Sequence, residues 1–196
     1  METIRLTTWV DAPVERCFLL SLSIDLHIAS AYKTREKAID GVTTGLIGEG
    51  ETVTFQGRHF GLRLRHTSLI ASLRPYSYFR DVMVAGTFRY FEHDHHFATM
   101  DDGTRLRDEV RFSSKWGALG RLATRMFVRK RLTAFLIERN TVIKRVAESE
   151  EWRKYLDSSA EGYAIAPMEG STVHRWDGKA LLRASQKIVA PPPSHS

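Results

Sequence analysis

The chain has 196 residues, 42% of them hydrophobic and 27% charged, with a net charge of +6 and a single cysteine. That length suits one globular core with an appendage, since a domain takes roughly 150 residues, and the composition excludes global disorder. No apolar run approaches the roughly 18 residues that cross a bilayer, the start METIRLTTWV lacks the layout of a secretory signal, and one cysteine closes no internal disulfide, so a cytoplasmic protein, monomeric or homodimeric, is expected.

Residues 4–10 alternate and are rich in β-branched side chains, which predicts a strand. Asp11-Ala12-Pro13-Val14-Glu15 then reads as a helix start, with Asp11 as the N-cap, Pro13 in the first turn and Glu15 where the helix dipole favours an acid. This short helix runs to about Leu22 and carries Cys17 in an apolar stretch, as a buried structural thiol. Asp25 is expected to cap a second short helix, to about Ala31.

From 33 to 114 the punctuation changes. Glycine-bearing turns, among them Asp40-Gly41, Gly86 and Asp101-Asp102-Gly103, separate extended segments at 51–58, 62–73, 76–84, 87–99 and 104–113. Short links of this kind predict an antiparallel meander, and its longest strands suit a strongly curved sheet.

Residues 117–147 show helical spacing of apolar side chains through Leu119, Leu122, Met126, Phe127, Leu132, Leu136, Ile143 and Val146, with Arg139 inside the same stripe. A cation there needs a carboxylate or a ligand anion, unless it snorkels to the helix edge. So long a helix needs a sheet to lie against. The element order predicts an α+β fold in which six to seven curved antiparallel strands grip the last helix. Residues 1–148 form this domain, and 149–196, ending in Pro191-Pro192-Pro193, form a partly disordered C-terminal extension.

The whole net charge belongs to residues 1–148, and much of it to the last helix: Lys115, Arg121, Arg125, Arg129, Lys130, Arg131, Arg139, Lys144 and Arg145, opposed there only by Glu138. A solvated helix face is the first reading, and peripheral contact with an acidic membrane surface is the alternative. No aromatic residues or loops interleave to read bases, so no nucleic-acid partner is expected.

The most informative segment is 88–97, where three of the eight histidines fall within four positions. Period two puts Phe91, His93, His95 and Phe97 on one strand face. On the next strand Leu106, Asp108, Val110 and Phe112 share the apolar face, so Asp108 is an acid among apolar residues. A hairpin turning through Asp101-Asp102 sets Phe97 opposite Leu106, His95 opposite Asp108 and His93 opposite Val110, which places an imidazole beside a buried carboxylate. A buried carboxylate without a partner costs several kcal/mol. Three readings follow: a satisfied buried cluster, a polar patch that orients a ligand, or acid–base or metal chemistry at His93, His95 and a carboxylate. Spacing names no third ligand, so no metal is assigned. Asp81 shares a face with Phe79 and Met83 and points either inward or to solvent; His59 and His66 read as isolated strand histidines.

The ordered series Asp11-Ala12-Pro13-Val14-Glu15-Arg16-Cys17-Phe18, Phe79-x-Asp81, Gly86-Thr87-Phe88, Phe91-x-His93-x-His95-x-Phe97, Gly103-Thr104, Asp108 and Gly117 resembles the SRPBCC, START-like helix-grip superfamily, in its ligand-binding, polyketide cyclase/dehydrase-like branch. The likeness covers residues 3–147. Phe91 stands where that branch usually has tryptophan, Thr87 where it has proline, and Trp116 where it has the proline before the glycine, so the cavity lining is expected to differ. The resemblance implies a cavity for a lipid, quinone or polyketide-like molecule, with no cofactor. The expected apolar walls are Phe91, Phe97, Leu106, Val110, Phe112, Met126 and Phe127, with His93, His95 and Asp108 orienting the ligand. In an aromatase/cyclase- or dehydratase-like enzyme, His95 and Asp108 would be catalytic. A membrane-peripheral lipid or quinone chaperone is the third expectation.

Overall fold

The computed structural model describes residues 1–59, 62–115 and 127–156. The expected helix opening at Gly117, Met126, and the chain beyond Leu156 lie outside the described residues. In order, the elements are β1 (Glu2–Val10), α1 (Val14–Leu22), α2 (Ile24–Ser30), β2 (Lys37–Gly41), β3 (Thr52–His59), β4 (Leu62–Arg74), β5 (Tyr78–Ala85), β6 (Phe88–Met100), β7 (Gly103–Ser114) and α3 (Arg129–Ala147), followed by a 3-10 turn (Glu150–Trp152) and a short α4 (Arg153–Leu156). The strands make one curved antiparallel sheet in the order β1-β7-β6-β5-β4-β3-β2. This is the expected α+β architecture, with one strand, β2, that the meander's glycine punctuation did not single out.

The helix starts differ from expectation. Pro13 itself occupies the N-cap position of α1 and contributes no side-chain cap. Asp11 instead donates its backbone N–H to Glu148 Oε1 at 2.7 Å, tying the strand end to the end of α3. Ser23, not Asp25, caps α2 by accepting from the Leu26 N–H at 3.2 Å. Asp25 accepts from the Gly45 N–H at 2.7 Å, so its carboxylate braces the following loop. Ser and Asp are near-equivalent caps, and the one whose backbone is extended takes the role. At Gly41 (φ +73°) a Cβ would lie 2.1 Å from the Thr52 carbonyl oxygen, so only glycine lets β2 lie so close to β3 at this point.

Two apolar clusters lie between sheet and helices. The larger gathers α1, the end of α3 and the chain after it: Cys17, Phe18, Phe97, Leu106, Val146, Trp152, Tyr155 and Leu156 are all buried there. At its centre the fully buried Phe18 ring meets Tyr76, Phe79 and Phe97 edge-on, with centroids 5.7, 5.8 and 5.2 Å away. The smaller joins Ile4, Val110, Phe112 and Leu136, so α3 lies over the inner faces of β1 and β7. The buried stripe of α3, Leu136, Arg139, Asn140, Ile143, Val146 and Ala147, keeps helical spacing.

Burial raises the Cys17 thiol to about 11. At pH 8 about one thiol in a thousand is then ionised, so Cys17 is expected to resist aromatic disulfide reagents in the folded protein and to react at once in denaturant. Full modification within minutes in native buffer would show that α1 opens locally.

Candidate functional site

A cavity of about 490 Å³ lies between the sheet and the helices. Its walls come from α2 (Ile24), the loop before β3 (Ile47), β3 (Val53, Phe55), β4 (Ile70), β5 (Phe79), β6 (Phe91) and α3 (Leu132, Phe135). Of the expected lining, Phe91, His93 and His95 face this space, while Met126 lies outside the described residues. Phe97, Leu106, Val110 and Phe112 do not line it. Phe97 and Leu106 are packed into the larger cluster beside α1, and Val110 and Phe112 are covered by Leu136 of α3. The helix fills the β7 end of the concave face, and the open space falls over β3 to β6. Phe127 is 63% exposed, because nine residues separate it from the buried Leu136, half a helical revolution away.

One end of the cavity carries a ring of four polar side chains. The hairpin register is the expected one: His95 opposite Asp108, His93 opposite Val110 and Phe97 opposite Leu106. Asp108 lies behind the two rings rather than in the cavity wall. Its Oδ1 is 2.8 Å from His93 Nε2 and 3.0 Å from His95 Nδ1. On the other side Asp81 Oδ2 is 3.2 Å from His95 Nε2 and 3.6 Å from His93 Nδ1. Asp81 therefore points inward: it is adjacent to His93 across the β5–β6 pair and on the same face as the buried Phe79. The Phe79 ring stacks on His95 at 4.0 Å, holding the imidazole plane.

The surrounding side chains complete the hydrogen bonding. Asn140 of α3 donates to Asp108 Oδ2 at 2.6 Å and to Thr8 at 3.1 Å. Arg139, buried as the stripe required, donates to the Ser21 carbonyl and reaches within 4.0 Å of Asp108. Ser68 donates to Asp81 Oδ1 at 3.4 Å and is bonded to His66, which packs edge-on to Phe91. His66 is thus part of the cavity wall and not an isolated strand histidine. Asn140 and Ser68 were missed by the sequence reading. The signal for Asn140 was present, since it shares the helical spacing of Leu136 and Ile143.

Electrostatics follow from this geometry. Burial alone would raise the Asp81 carboxyl, but the His95 contact and the two neighbouring imidazoles bring it down to about 2. Asp108 is likewise held well below the usual carboxylate range, its desolvation outweighed by His93 and His95. Burial and the adjacent His95 lower His93 despite Asp108. A second polar pair stands elsewhere in the cavity wall, where His27, stacked on Phe55 at 4.2 Å, meets Glu36 at 3.0 Å.

The opposite face of the sheet holds a separate network. Asp94 and Glu92, both buried, are bridged by Arg80 and Arg111, with Tyr78 donating to Asp94 and Tyr90 to Glu92. On α3, Arg129, Lys144 and Arg145 pair with Glu2, Glu148 and Glu151. No described helix is long and apolar enough to cross a membrane.

No protein-family profile and no curated protein sequence matches the chain. Solved structures do. The chain is similar to the Zhui aromatase/cyclase from Streptomyces sp. R1128, with a TM-score of 0.60 and 14% identity over 76% of this chain and 97% of that one. It is similar to a START superfamily protein from Mycobacterium smegmatis, with a TM-score of 0.57 and 11% identity over 74% and 97%. Ginseng major latex-like protein 151 from Panax ginseng gives 0.54 and 11%, over 76% and 98%. The chain has the helix-grip fold of the START-like proteins.

Proposed function

We propose that the protein binds a small apolar or aromatic molecule of lipid, quinone or polyketide-like class in the cavity between the sheet and α3. The observation that carries this reading is the combination of an apolar wall, from Ile24, Val53, Phe55, Ile70 and Leu132, with polar groups converging at one end, which is how small-molecule sites are built. An apolar body is held by the wall, and a carbonyl or hydroxyl on it is oriented by His93 and His95. Native mass spectrometry of the purified chain is expected to show a co-purifying apolar molecule, and an environment-sensitive dye is expected to be displaced by one of a panel of lipids, quinones and polycyclic aromatics. Ile70→Trp, which fills the wall, is expected to weaken that binding at least about tenfold (about 1.4 kcal/mol). Failure of the whole panel, or full affinity in Ile70→Trp, would remove the reading.

A second reading, an aromatase/cyclase- or dehydratase-like enzyme, is favoured by one feature. His95 lines the cavity with Asp108 3.0 Å from its Nδ1 and Asp81 3.2 Å from its Nε2, so carboxylates on both sides fix and polarise the imidazole, as an acid–base group held in place requires. The name of the Streptomyces neighbour supports the same direction. Turnover of a carbonyl substrate is expected to disappear in His95→Ala and Asp108→Asn, and an unchanged rate in both would sink it. The membrane-peripheral reading has less support, because Arg129, Lys144 and Arg145 already have acidic partners within the protein.

A further inference from the structure

The ring of two histidines and two aspartates has a proton deficit that its geometry makes visible. A carboxylate only accepts hydrogen bonds, and a neutral imidazole has one N–H to donate. Asp108 faces one nitrogen of each ring, His93 Nε2 at 2.8 Å and His95 Nδ1 at 3.0 Å. Giving it both N–H groups leaves the other nitrogen of each ring, His93 Nδ1 and His95 Nε2, as a lone pair directed towards Asp81 Oδ2. Three electron-rich atoms then converge on one corner beside the cavity. That corner needs a positive centre.

A proton on His95 Nε2 reaches Asp81 Oδ2 at 3.2 Å but leaves the His93 Nδ1 lone pair facing the same oxygen. The 3.6 Å between His93 Nδ1 and Asp81 Oδ2 is too long for a hydrogen bond. Donors held at about 2.1 Å from one tetrahedral ion lie about 3.4 Å apart, and the two edges that meet at Asp81 Oδ2, 3.2 and 3.6 Å, bracket that value. All three donor atoms lie within 4.8 Å of one another. The surroundings also suit a metal. Asp108, itself fixed by Asn140, is the shared carboxylate behind both imidazoles that sets their tautomers, and Ser68 holds the other oxygen of Asp81 so that Oδ2 turns to the rings. The cavity supplies open coordination positions on the remaining side.

We propose that Asp81 Oδ2, His93 Nδ1 and His95 Nε2 form a binding site for one divalent first-row transition ion, Zn²⁺ by donor type and geometry, open to the cavity. The site shares the cavity with the organic occupant but does not rest on that reading. An ion there would present a Lewis acid to an oxygen of whatever occupies the apolar wall.

The test uses the untagged full chain, stripped with a chelator. Zn²⁺ is titrated in competition with a chromogenic chelator, and Co²⁺ is added separately to record its visible spectrum. One equivalent of Zn²⁺ per chain is expected, with a rise in melting temperature as ion is added. Co²⁺ is expected to give the absorption of a four- or five-coordinate nitrogen–oxygen site. Asp81→Asn and His93→Gln, checked by circular dichroism for folding, are each expected to lose at least about tenfold in affinity, and Asp108→Asn about 10- to 100-fold through the ring orientation it supplies. Absence of a one-equivalent phase, a six-coordinate aqua-like Co²⁺ spectrum, or wild-type affinity in folded Asp81→Asn and His93→Gln would each overturn the site. The Co²⁺ arm needs no variant, so a misfolded substitution leaves the outcome decided. Dye displacement repeated on the stripped protein separates the two proposals, since loss of apolar binding there leaves the ion titration untouched, and the converse.

Discussion

Asp108→Ala is expected to destabilise the metal-stripped protein by about 3–5 kcal/mol in urea unfolding, the range for breaking a buried charge arrangement by removing one partner. Asp108 is 3% exposed, and four groups converge on it: His93, His95, Asn140 and, at 4.0 Å, Arg139. Deleting the carboxylate leaves the Arg139 guanidinium buried with the Ser21 carbonyl as its hydrogen-bond acceptor. Arg139→Met is expected to cost less, because Asp108 keeps three hydrogen-bonding neighbours. The double substitution should then be less destabilising than the two single effects added together, since it removes both charges of a coupled pair. A loss under about 1 kcal/mol for Asp108→Ala, or strict additivity in the cycle, would mean that water enters and solvates the cluster.

Phe18→Ala is expected to cost about 3–5 kcal/mol, the range for truncating a fully buried aromatic residue. The ring is completely buried and makes three edge-on aromatic contacts that join α1 to the β4–β5 turn and to β5 and β6. Each such pair adds about 0.5–1.5 kcal/mol beyond area burial. Phe18→Leu, which keeps most of the volume, is expected to fall well below the alanine value. Equal losses for the two would show that the aromatic geometry, and not the filled volume, carries the effect.

How much of this was legible depended on distance along the chain. The β6–β7 register followed from one turn, Asp101-Asp102, because a hairpin's pairing is local. Asp108 stood out as an acid in an otherwise apolar alternation, and Arg139 as a cation in an apolar helical stripe. Both proved buried and near each other. Asp81 stayed ambiguous because β4 and β5 pair through irregularities at residues 67–68 and 70–72, which break simple alternation. The cavity walls were misplaced for a different reason. Periodicity tells which residues face inward but not which of them the helix covers. α3 buries Val110 and Phe112 and leaves Phe55 and Ile70 beside open space, and that choice depends on how the helix crosses the sheet.

The pairing of β1 with β7 has a consequence for synthesis. Ile4 lies opposite Val110, so β1 waits for a partner made roughly a hundred residues later. At about 5–20 residues per second, that is roughly 5–20 s during which β1 has no strand to join. The nascent chain must hold residues 2–10 apart from other edges throughout that interval. Their alternation of arginine and threonine with apolar residues, Arg5, Thr7 and Thr8 among Ile4, Leu6 and Trp9, keeps the waiting strand from being uniformly sticky. Ribosome-bound chains stopped before Val110 emerges should therefore engage holdase chaperones at this segment, and release them once β7 is out.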